Sequence, residues 1–428
     1  MTESDSVHPP DVEAEVESRS EEKTRFGLSG NLQRLAVVTG IAQFVMSVWA
    51  WQFGIFLEAS VNAYWQIGIT FSIGTFAMIV GYVISGTLAD YLGRKNVMIT
   101  GFIPMFVGLI TLRFFPIWPL VPIEYGFIQL GWAFILIMTS AIPADEIAKT
   151  SGVNAARTFN MVLVPAFLVD GSAPIVAGIL INAGYVAGDL HLLAAIAALI
   201  AMIATRLGVS ESLGKDLIQR AKSGSMITLR GLGRNFWIFS SGMFGFVFVM
   251  NFSFPYLGNL VVNEWGVSES WYAIAWGAWS FTCVILMYGV GSATDKNIRF
   301  VMISGLFSTA IVVGLYAYGT SLQDLVILNI LLAAPIVVWS GAEKTLAVNG
   351  VRNEMKGRAL GTFQFLMSST RLVGQFIGAM LWDSFGSLRT VFGISSIAGM
   401  ILVVGLTYAL MTLKLEYRGE TQSLVRTE

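Results

Sequence analysis

The chain has 428 residues, of which 55% are hydrophobic and only 12% are charged. Soluble domains carry about twice that charged fraction, so the composition indicates a protein with many membrane-spanning segments. The single cysteine, Cys283, excludes a disulfide framework and a cysteine metal cluster, and two histidines leave little for a histidine site. We therefore expect no cofactor, no metal and no enzymatic activity. We also expect no nucleic-acid partner, although the net charge of −1 by itself says nothing about partners, because the pattern of signs matters and not their sum.

The first part of the chain is polar and acidic. Residues 1–24 hold eight carboxylates, two basic residues and no Phe, Trp or Tyr. Such a composition cannot bury enough apolar surface to fold, so we expect a disordered tail over residues 1–34. It contains no apolar run, so we expect no cleavable signal peptide.

Twelve apolar segments follow, each long enough at ~1.5 Å per residue to cross a hydrocarbon core of about 30 Å. A backbone in lipid must satisfy its own hydrogen bonds, so each segment is predicted to be a helix. The predicted fold is all-α and polytopic, with two pseudo-symmetric six-helix bundles at 35–208 and 236–413 and a tail at 414–428. The predicted helices are Leu35–Leu57, Gln66–Leu88, Val97–Phe115, Tyr125–Ile142, Phe159–Ile181, Leu190–Leu207, Phe236–Leu260, Trp271–Gly291, Phe300–Tyr318, Leu325–Ala342, Thr362–Trp382 and Val391–Leu413.

The two bundles are joined by a polar linker, residues 209–235, which contains several lysines and arginines. Leu213, Leu217 and Ile218 share one face of a possible helix, with Ser210 as its cap. We expect this helix to lie on the inner leaflet of the membrane.

The lysines and arginines predict the orientation of the chain. Of the 26, Arg113 and Arg389 fall at outer helix ends and Arg371 falls inside a helix, which leaves 23 in the tails and inner loops. Positive residues concentrate on the cytoplasmic side of membrane proteins. The sequence therefore predicts a multi-pass protein of the plasma or inner membrane with both termini in the cytoplasm.

The ten residues from Gly86 to Lys95, between the second and third predicted helices, read Gly-Thr-Leu-Ala-Asp-Tyr-Leu-Gly-Arg-Lys. The stretch resembles the signature of the major facilitator superfamily at that loop, which is Gly, any, Leu, any, Asp, any two, Gly, Arg, and Lys or Arg. The resemblance extends over about residues 35–413. It implies a twelve-helix transporter that moves a small solute across the bilayer by alternating access and works as a monomer.

The two bundles repeat each other at specific points, as expected after a duplication. Gly291, Asp295 and Arg299 repeat the Gly, Asp and Arg of the loop motif at a separation of 205 residues. Arg157 and Arg358, which both open helices, are separated by 201 residues.

The loop motif predicts a conformational latch. Asp90 ends the second helix, where a carboxylate can face the partly positive amino-terminal end of a neighbouring helix. The resemblance implies that this neighbour is helix eleven, and pseudo-symmetry predicts a second latch between Asp295 and the start of helix five. The alternative is ordinary solvated loop charge. The predicted latch residues are Gly86, Asp90, Gly93, Arg94, Lys95, Asp295, Arg299, Arg157 and Arg358.

Helices five and eleven each carry one charge near mid-membrane, Asp170 and Arg371, again separated by 201 residues. Insertion scales assign a cost of roughly 2.5–3.5 kcal/mol to a charged side chain there, so each should face protein or a water-filled cavity. Asp170 is a candidate proton carrier, because poor solvation favours the neutral acid. Arg371 stays charged and suits a carboxylate or another anion. The alternative is that both residues only hold helices together.

In this superfamily the central cavity is lined mainly by helices one, four, seven and ten. Gln43 and Gln52 of helix one lie nine residues apart and point to opposite faces, so at most one lines the cavity. For the other candidates, hydrogen bonding between helices is the alternative role. They are Glu124 and Gln129 on helix four, Asn251, Tyr256 and Asn259 on helix seven, and Asn329 and Glu343 on helix ten.

These features favour proton-coupled symport of an organic anion, with a proton or another ion as the coupling partner. A drug/proton antiporter is the alternative. Antiporters of the superfamily carry Gly-Pro-x-x-Gly-Gly in helix five, of which this chain retains only Pro174 and Gly178. The Asp-Gly-x-Asp element of aromatic-acid symporters is absent from helix one. A non-transporting membrane sensor would predict a soluble signalling domain, and the sequence shows none.

Overall fold

The computed structural model describes residues 28–149, 155–212, 231–294, 297–347, 351 and 356–412. Both predicted tails, the predicted linker helix and Asp295 lie wholly or largely outside these residues. Arg157 and Arg358 lie in described helices, but the described side chains do not include theirs.

Twelve long helices form the described part of the chain, and each overlaps one predicted segment, so the predicted fold class is confirmed. Ten of them are long and apolar enough to cross a membrane over the described residues. The helices are α1 (Gly30–Ser60), α2 (Tyr64–Leu92), α3 (Arg94–Phe114), α4 (Leu120–Lys149), α5 (Ala155–Asn182), α6 (Ala187–Gly208), α7 (Gly233–Glu264), α8 (Glu269–Thr294), α9 (Ile298–Tyr316), α10 (Leu322–Ala347), α11 (Lys356–Phe385) and α12 (Leu388–Thr412).

The second six helices pack in the same order as the first six. In the first half, α1 packs on α5 and α6, α3 packs on α4 and α6, and α2 packs on α4. The corresponding pairs of the second half, such as α7 with α11 and α12, repeat each of these contacts. The halves meet along α2 with α11 and along α5 with α8, which are themselves symmetry-related pairs.

Small residues bring the α5 and α8 backbones together at the boundary between the halves. A Cβ atom added to Gly277 would lie 2.4 Å from the carbonyl oxygen of Gly171, so neither position has room for a larger side chain. Small residues at such crossings let membrane helices approach closely.

Two of the predicted helices are interrupted at equivalent positions. In α1, the α-helix Gly30–Ser47 gives way to a 3-10 turn at Ala50–Gln52. In α7, the α-helix Gly233–Met250 gives way to a 3-10 turn at Phe254–Tyr256. Pro255 contributes to the second break, because proline has no backbone N–H to continue the ladder. The prediction that these two segments are continuous helices was wrong.

We call the membrane side at which α1 begins and α12 ends the tail side, and the opposite side the far side. The loops that follow α1 and α11 lie on the far side, and the loop between α2 and α3 lies on the tail side.

Candidate functional site

A cavity of about 580 Å³ lies between the two halves and is lined by residues of nine helices. It reaches from α1 and α5 in the first half to α7, α10 and α11 in the second. Its volume falls in the range of about 300–1,000 Å³ typical of small-molecule sites. The breaks in α1 and α7 both border it, through Ala50 and Trp51 on one side and Phe254 and Pro255 on the other.

Asp170 lies on one wall of this cavity and is held by two side chains of α1. Gln43 donates a hydrogen bond of 2.8 Å from Nε2 to Asp170 Oδ1, and the Ser47 hydroxyl donates one of 2.7 Å to the same oxygen. Gln43 Nε2 also lies 2.9 Å from Ser47 Oγ, so the three groups form one network. The carboxylate is therefore a polar group of the cavity and not a lipid-facing one.

Arg371 of α11 lines the same cavity. Its side chain is exposed, and within the described ranges it makes no hydrogen bond and no ion pair. A guanidinium always carries charge and presents five N–H donors in a rigid fork. The cavity thus contains a cation whose donors are open to a ligand.

Aromatic side chains form a large part of the remaining lining and come from both halves. Across the boundary, the rings of Trp51 and Tyr272 approach to 5.7 Å. Trp339 of α10 presents an indole N–H that has no hydrogen-bond partner among the described residues. The aromatic lining residues are Trp51, Phe71, Tyr125, Trp132, Phe246, Phe254, Tyr272, Trp276 and Trp339. None of these nine rings was predicted to line the cavity, because no local sequence pattern distinguishes a ring that faces a cavity from a ring in the core.

Of the predicted binding residues, Asp170, Arg371 and Asn251 line the cavity. Asn251 also donates 2.8 Å from Nδ2 to the carbonyl of Val247 in its own helix. Of the two glutamines of α1, Gln43 lines the cavity, whereas Gln52 is buried and its amide has no partner in the described part of the chain.

Three predicted binding residues lie outside the cavity lining, and two of them hold helices together. The third, Gln129, donates to the hydroxyl of Tyr125 within α4. Asn329 accepts a 2.6 Å hydrogen bond from the Tyr316 hydroxyl and so joins α10 to α9. Tyr256 is fully buried and its hydroxyl donates to a backbone carbonyl of α11.

The two predicted acidic candidates also lie outside the cavity lining. Glu124 is buried near the far end of α4, and its Oε2 has no hydrogen-bond partner among the described groups. Glu343 lies in the tail-side half of α10. Within the described ranges no group of three or more His, Cys, Asp or Glu side chains could hold a metal ion.

The halves are held together on the far side by α1 and α7. Asn259 is fully buried and donates from Nδ2 to the Gly54 carbonyl at 2.8 Å and to Glu58 Oε2 at 2.7 Å. Asn263 also donates to Glu58. Asn259 was predicted to line the cavity, but the break in α7 turns it toward α1 instead, and the sequence analysis assigned no role to Glu58.

A second far-side contact joins α2 to α11. The rings of Tyr64 and Trp382 stack with centroids 3.9 Å apart, and the backbone N–H of Tyr64 donates to Asp383. Together with the α1–α7 contacts, this stack closes the far side of the cavity.

On the tail side, the loop motif forms a charge network with α4. Asp90 lies 3.1 Å from Arg94, and Arg94 lies 3.3 Å from Asp145, which also accepts a hydrogen bond from Ser212. These contacts of Asp90 and Arg94 stay within the first half.

Each predicted latch pairs an aspartate of one half with the start of a helix in the other half, Asp90 with α11 and Asp295 with α5. Asp295 and the side chains at the two helix starts lie outside the described ones, so both latches stay predictions. Gly86 lies in α2 as predicted, whereas Arg299 lies in the first turn of α9, one residue before the predicted start of that helix.

Glu211 caps the amino-terminal end of α3. Its carboxylate accepts hydrogen bonds from the backbone N–H groups of Arg94 at 2.8 Å and Lys95 at 3.2 Å. Gly93 has φ of +87°, and a Cβ there would lie 2.3 Å from a Glu211 oxygen. The start of α3 is therefore held by a carboxylate more than a hundred residues away in the chain, for which no role was predicted.

The chain matches no protein-family profile. It is 26% identical over 361 residues to an uncharacterised MFS-type transporter of Methanocaldococcus jannaschii, covering 77% of this chain and 84% of the relative. It is 22% identical over 381 residues to the enterobactin exporter EntS of Shigella flexneri, covering 84% of this chain and 86% of that protein.

Solved transporter structures share the fold. The nucleoside transporter NupG matches with a TM-score of 0.73 and 12% identity, over 90% of this chain and 99% of NupG. A POT family transporter in complex with 5-aminolevulinic acid matches with a TM-score of 0.72 and 13% identity, over 92% and 99%. The human organic anion transporter MFSD10 matches with a TM-score of 0.60 and 14% identity, over 89% and 99%.

Proposed function

We propose that this chain, which is a membrane transporter of the major facilitator superfamily, carries a small organic anion together with a proton. The observation that carries the proposal is the pair of charges in one cavity between the halves. Arg371 is open to a ligand, and Asp170 can gain or lose a proton.

Arg371 is the proposed anion-binding group. A guanidinium fork matches the two oxygens of a carboxylate, and charge-assisted hydrogen bonds of this kind are stronger than neutral ones. The cavity walls are largely apolar, so a ligand that fills the cavity and displaces water from Arg371 would be attracted more strongly than at a protein surface.

Asp170 is the proposed proton-binding group, and its neighbours suit that role. The Ser47 hydroxyl and the Gln43 amide both donate to it here, and each of these groups can also accept a hydrogen bond. A protonated Asp170 could therefore donate to either without leaving a buried donor unpaired. An ionised Asp170 would repel an anion in the same cavity, so the neutral form favours substrate binding and couples the two fluxes.

Alternating access requires that the far-side contacts open and close during transport. The Glu58–Asn259 hydrogen bond and the Tyr64–Trp382 stack are the contacts that must separate to expose the cavity to the far side. From the distribution of Lys and Arg, we infer that the tail side faces the cytoplasm. The predicted latches would then close the cavity on that side.

A drug/proton antiporter is the second candidate. The enterobactin exporter EntS is a relative over most of the chain, and a proton-binding Asp170 would serve either direction of coupling. The two candidates differ at Arg371, which an organic anion requires and a cationic drug does not. The substrates named for the structurally similar transporters differ from one another, so the substrate class rests on the residues of this cavity.

Transport by purified protein in liposomes tests the proposal. Labelled organic acids, sugars and cationic dyes would be offered with and without an inward proton gradient. We expect an organic acid to accumulate only with the gradient, and Arg371→Gln to abolish that accumulation. Accumulation of a cationic dye against a proton gradient, unaffected by Arg371→Gln, would favour the antiporter instead.

A further inference from the structure

We infer that the transported anion carries an aromatic ring system beside its acidic group. This inference rests on the proposed transport of an organic anion and names its chemical class. Nine aromatic side chains line the cavity, and the guanidinium of Arg371 lines it with them. An aliphatic anion would pair with the charge of Arg371 but would form no aromatic–aromatic contacts with these rings.

Three tryptophans of the cavity present indole N–H groups without a protein partner. Trp339 Nε1 is buried with no hydrogen bond, and Trp132 and Trp276 also make none within the described ranges. A buried indole N–H usually donates a hydrogen bond to an acceptor, and a buried donor without an acceptor costs free energy. Buried indole N–H groups without a partner in the described part of the chain also occur outside the cavity, at Trp265 and Trp279. What distinguishes Trp339, Trp132 and Trp276 is that they line the cavity, where a ligand can supply oxygen acceptors.

The rings also remain available for contact with a ligand. Trp132 and Trp276 are each half-buried in the cavity wall, and Trp132 makes no ring contact with another described aromatic side chain. Aromatic pairs prefer edge-to-face or offset contacts, and a bound ring could make several with walls from both halves.

One ligand could contact the aromatic walls of the cavity and the guanidinium of Arg371 at the same time. An aromatic carboxylate could place its acidic group at Arg371 and its ring among the indoles, while substituent oxygens accept from indole N–H groups. The chain lacks the Asp-Gly-x-Asp element of the aromatic-acid symporters in helix one, so recognition here would use a different set of residues.

Binding of three matched probes to the purified full chain tests the inference. The probes are 2-naphthoate, its saturated counterpart decahydro-2-naphthoate, and neutral 2-naphthamide, measured by titration calorimetry. Because each aromatic contact contributes roughly twofold to tenfold in affinity, we expect 2-naphthoate to bind at least about tenfold more tightly than the saturated acid. Trp132→Leu and Trp276→Leu should remove most of that preference.

Trp271→Leu is the matched control, because Trp271 lies on the same helix as Trp276 but is exposed and outside the cavity lining. It should leave the preference unchanged. Trp132→Phe, which keeps a ring and is a milder change, should keep most of the preference if the leucine variant folds poorly. The comparison of probes on the unmodified chain needs no variant.

The outcomes separate this inference from the proposed function. Failure of 2-naphthoate to bind, or equal affinity for the two acids, would overturn the aromatic inference and leave organic-anion transport standing. Equal affinity for 2-naphthoate and 2-naphthamide, unaffected by Arg371→Gln, would instead contradict the anion site while the ring preference held.

Discussion

Ser47 of α1 and Asp170 of α5 share a 2.7 Å hydrogen bond on the wall of the cavity. The contact joins the helix that breaks beside the cavity to the helix that packs against the other half through α8. A change in the charge of Asp170 therefore affects both the cavity wall formed by α1 and the α5–α8 contact between the halves. This is the arrangement that coupling of a proton to a conformational change requires.

Asp170→Asn should lose gradient-driven accumulation of the substrate yet keep substrate exchange at equal pH. The amide fixes a neutral side chain, so the substrate can still bind, but no proton is carried. Accumulation and counterflow in proteoliposomes would measure the two activities separately. Asp189→Asn is the control, because Asp189 pairs with Arg113 on the far side, outside the cavity. Wild-type accumulation by Asp170→Asn would rule out this role and direct attention to Glu343 or Glu124.

Arg371→Lys should weaken binding of an anionic substrate about tenfold while transport stays proton-coupled. Lysine keeps the charge but loses the fork that holds two oxygens, and a hydrogen bond to a charged group contributes roughly 1.5–3 kcal/mol. The dissociation constant and the proton-to-substrate ratio would be measured together. Arg206→Lys, at an exposed position near the end of α6, should change neither. An unchanged affinity in the Arg371 variant would place the anion elsewhere.

Asn259→Ala should shift the transporter toward a conformation open on the far side. The change removes two hydrogen bonds between the halves, each contributing roughly 0.5–1.5 kcal/mol, more for the bond to Glu58. Spin labels at the exposed positions Ala59 and Ser268, with Cys283 replaced by Ser, would report the distance between α1 and the start of α8. We expect a larger population at long distance.

Asn96→Ala provides the comparison for that experiment, since Asn96 bonds only within an exposed turn on the tail side. Its distance distribution should match that of the unmodified chain. A distribution that Asn259→Ala leaves unchanged would mean that the asparagine contributes little to far-side closure.

Gly93→Ala should lower the melting temperature more than Gly184→Ala. Both glycines have positive φ, at +87° and +97°, so alanine is strained at either by roughly 1–3 kcal/mol. Only at Gly93 would the new Cβ also collide with Glu211 and displace the cap of α3, because nothing lies within 4 Å at Gly184. Thermal unfolding of the two variants in one detergent gives the difference. Equal shifts would show that the Glu211 cap adds no stability.

A reporter fused after Arg220 should be cytoplasmic, and one inserted near Asn182 should be external. The reason is the concentration of Lys and Arg on the tail side, which retains those loops in the cytoplasm. Paired reporters that are active on opposite sides of the membrane would measure both positions. An external signal from the Arg220 fusion would invert the orientation and the direction of the proton gradient that drives uptake.

The sequence by itself determined the twelve helices and their division into two halves. A segment such as Leu190–Leu207 must be helical in lipid whatever its neighbours do, because its backbone has no other hydrogen-bond partners there. The sequence also singled out Asp170 and Arg371, because a charge at mid-membrane is costly unless protein or water surrounds it.

Only the tertiary structure decided which polar and aromatic side chains face the cavity. Asn251 and Asn259 lie eight residues apart on predicted helix seven, and both were predicted to line the cavity. The break between them directs Asn251 to the cavity and Asn259 to Gly54 of α1. Likewise, Glu211 reaches the amino-terminal end of α3 because α6, which ends three residues before Glu211, packs against α3. Helix formation in lipid is decided by local hydropathy, whereas the direction of a side chain depends on rotations and breaks fixed by packing against distant helices.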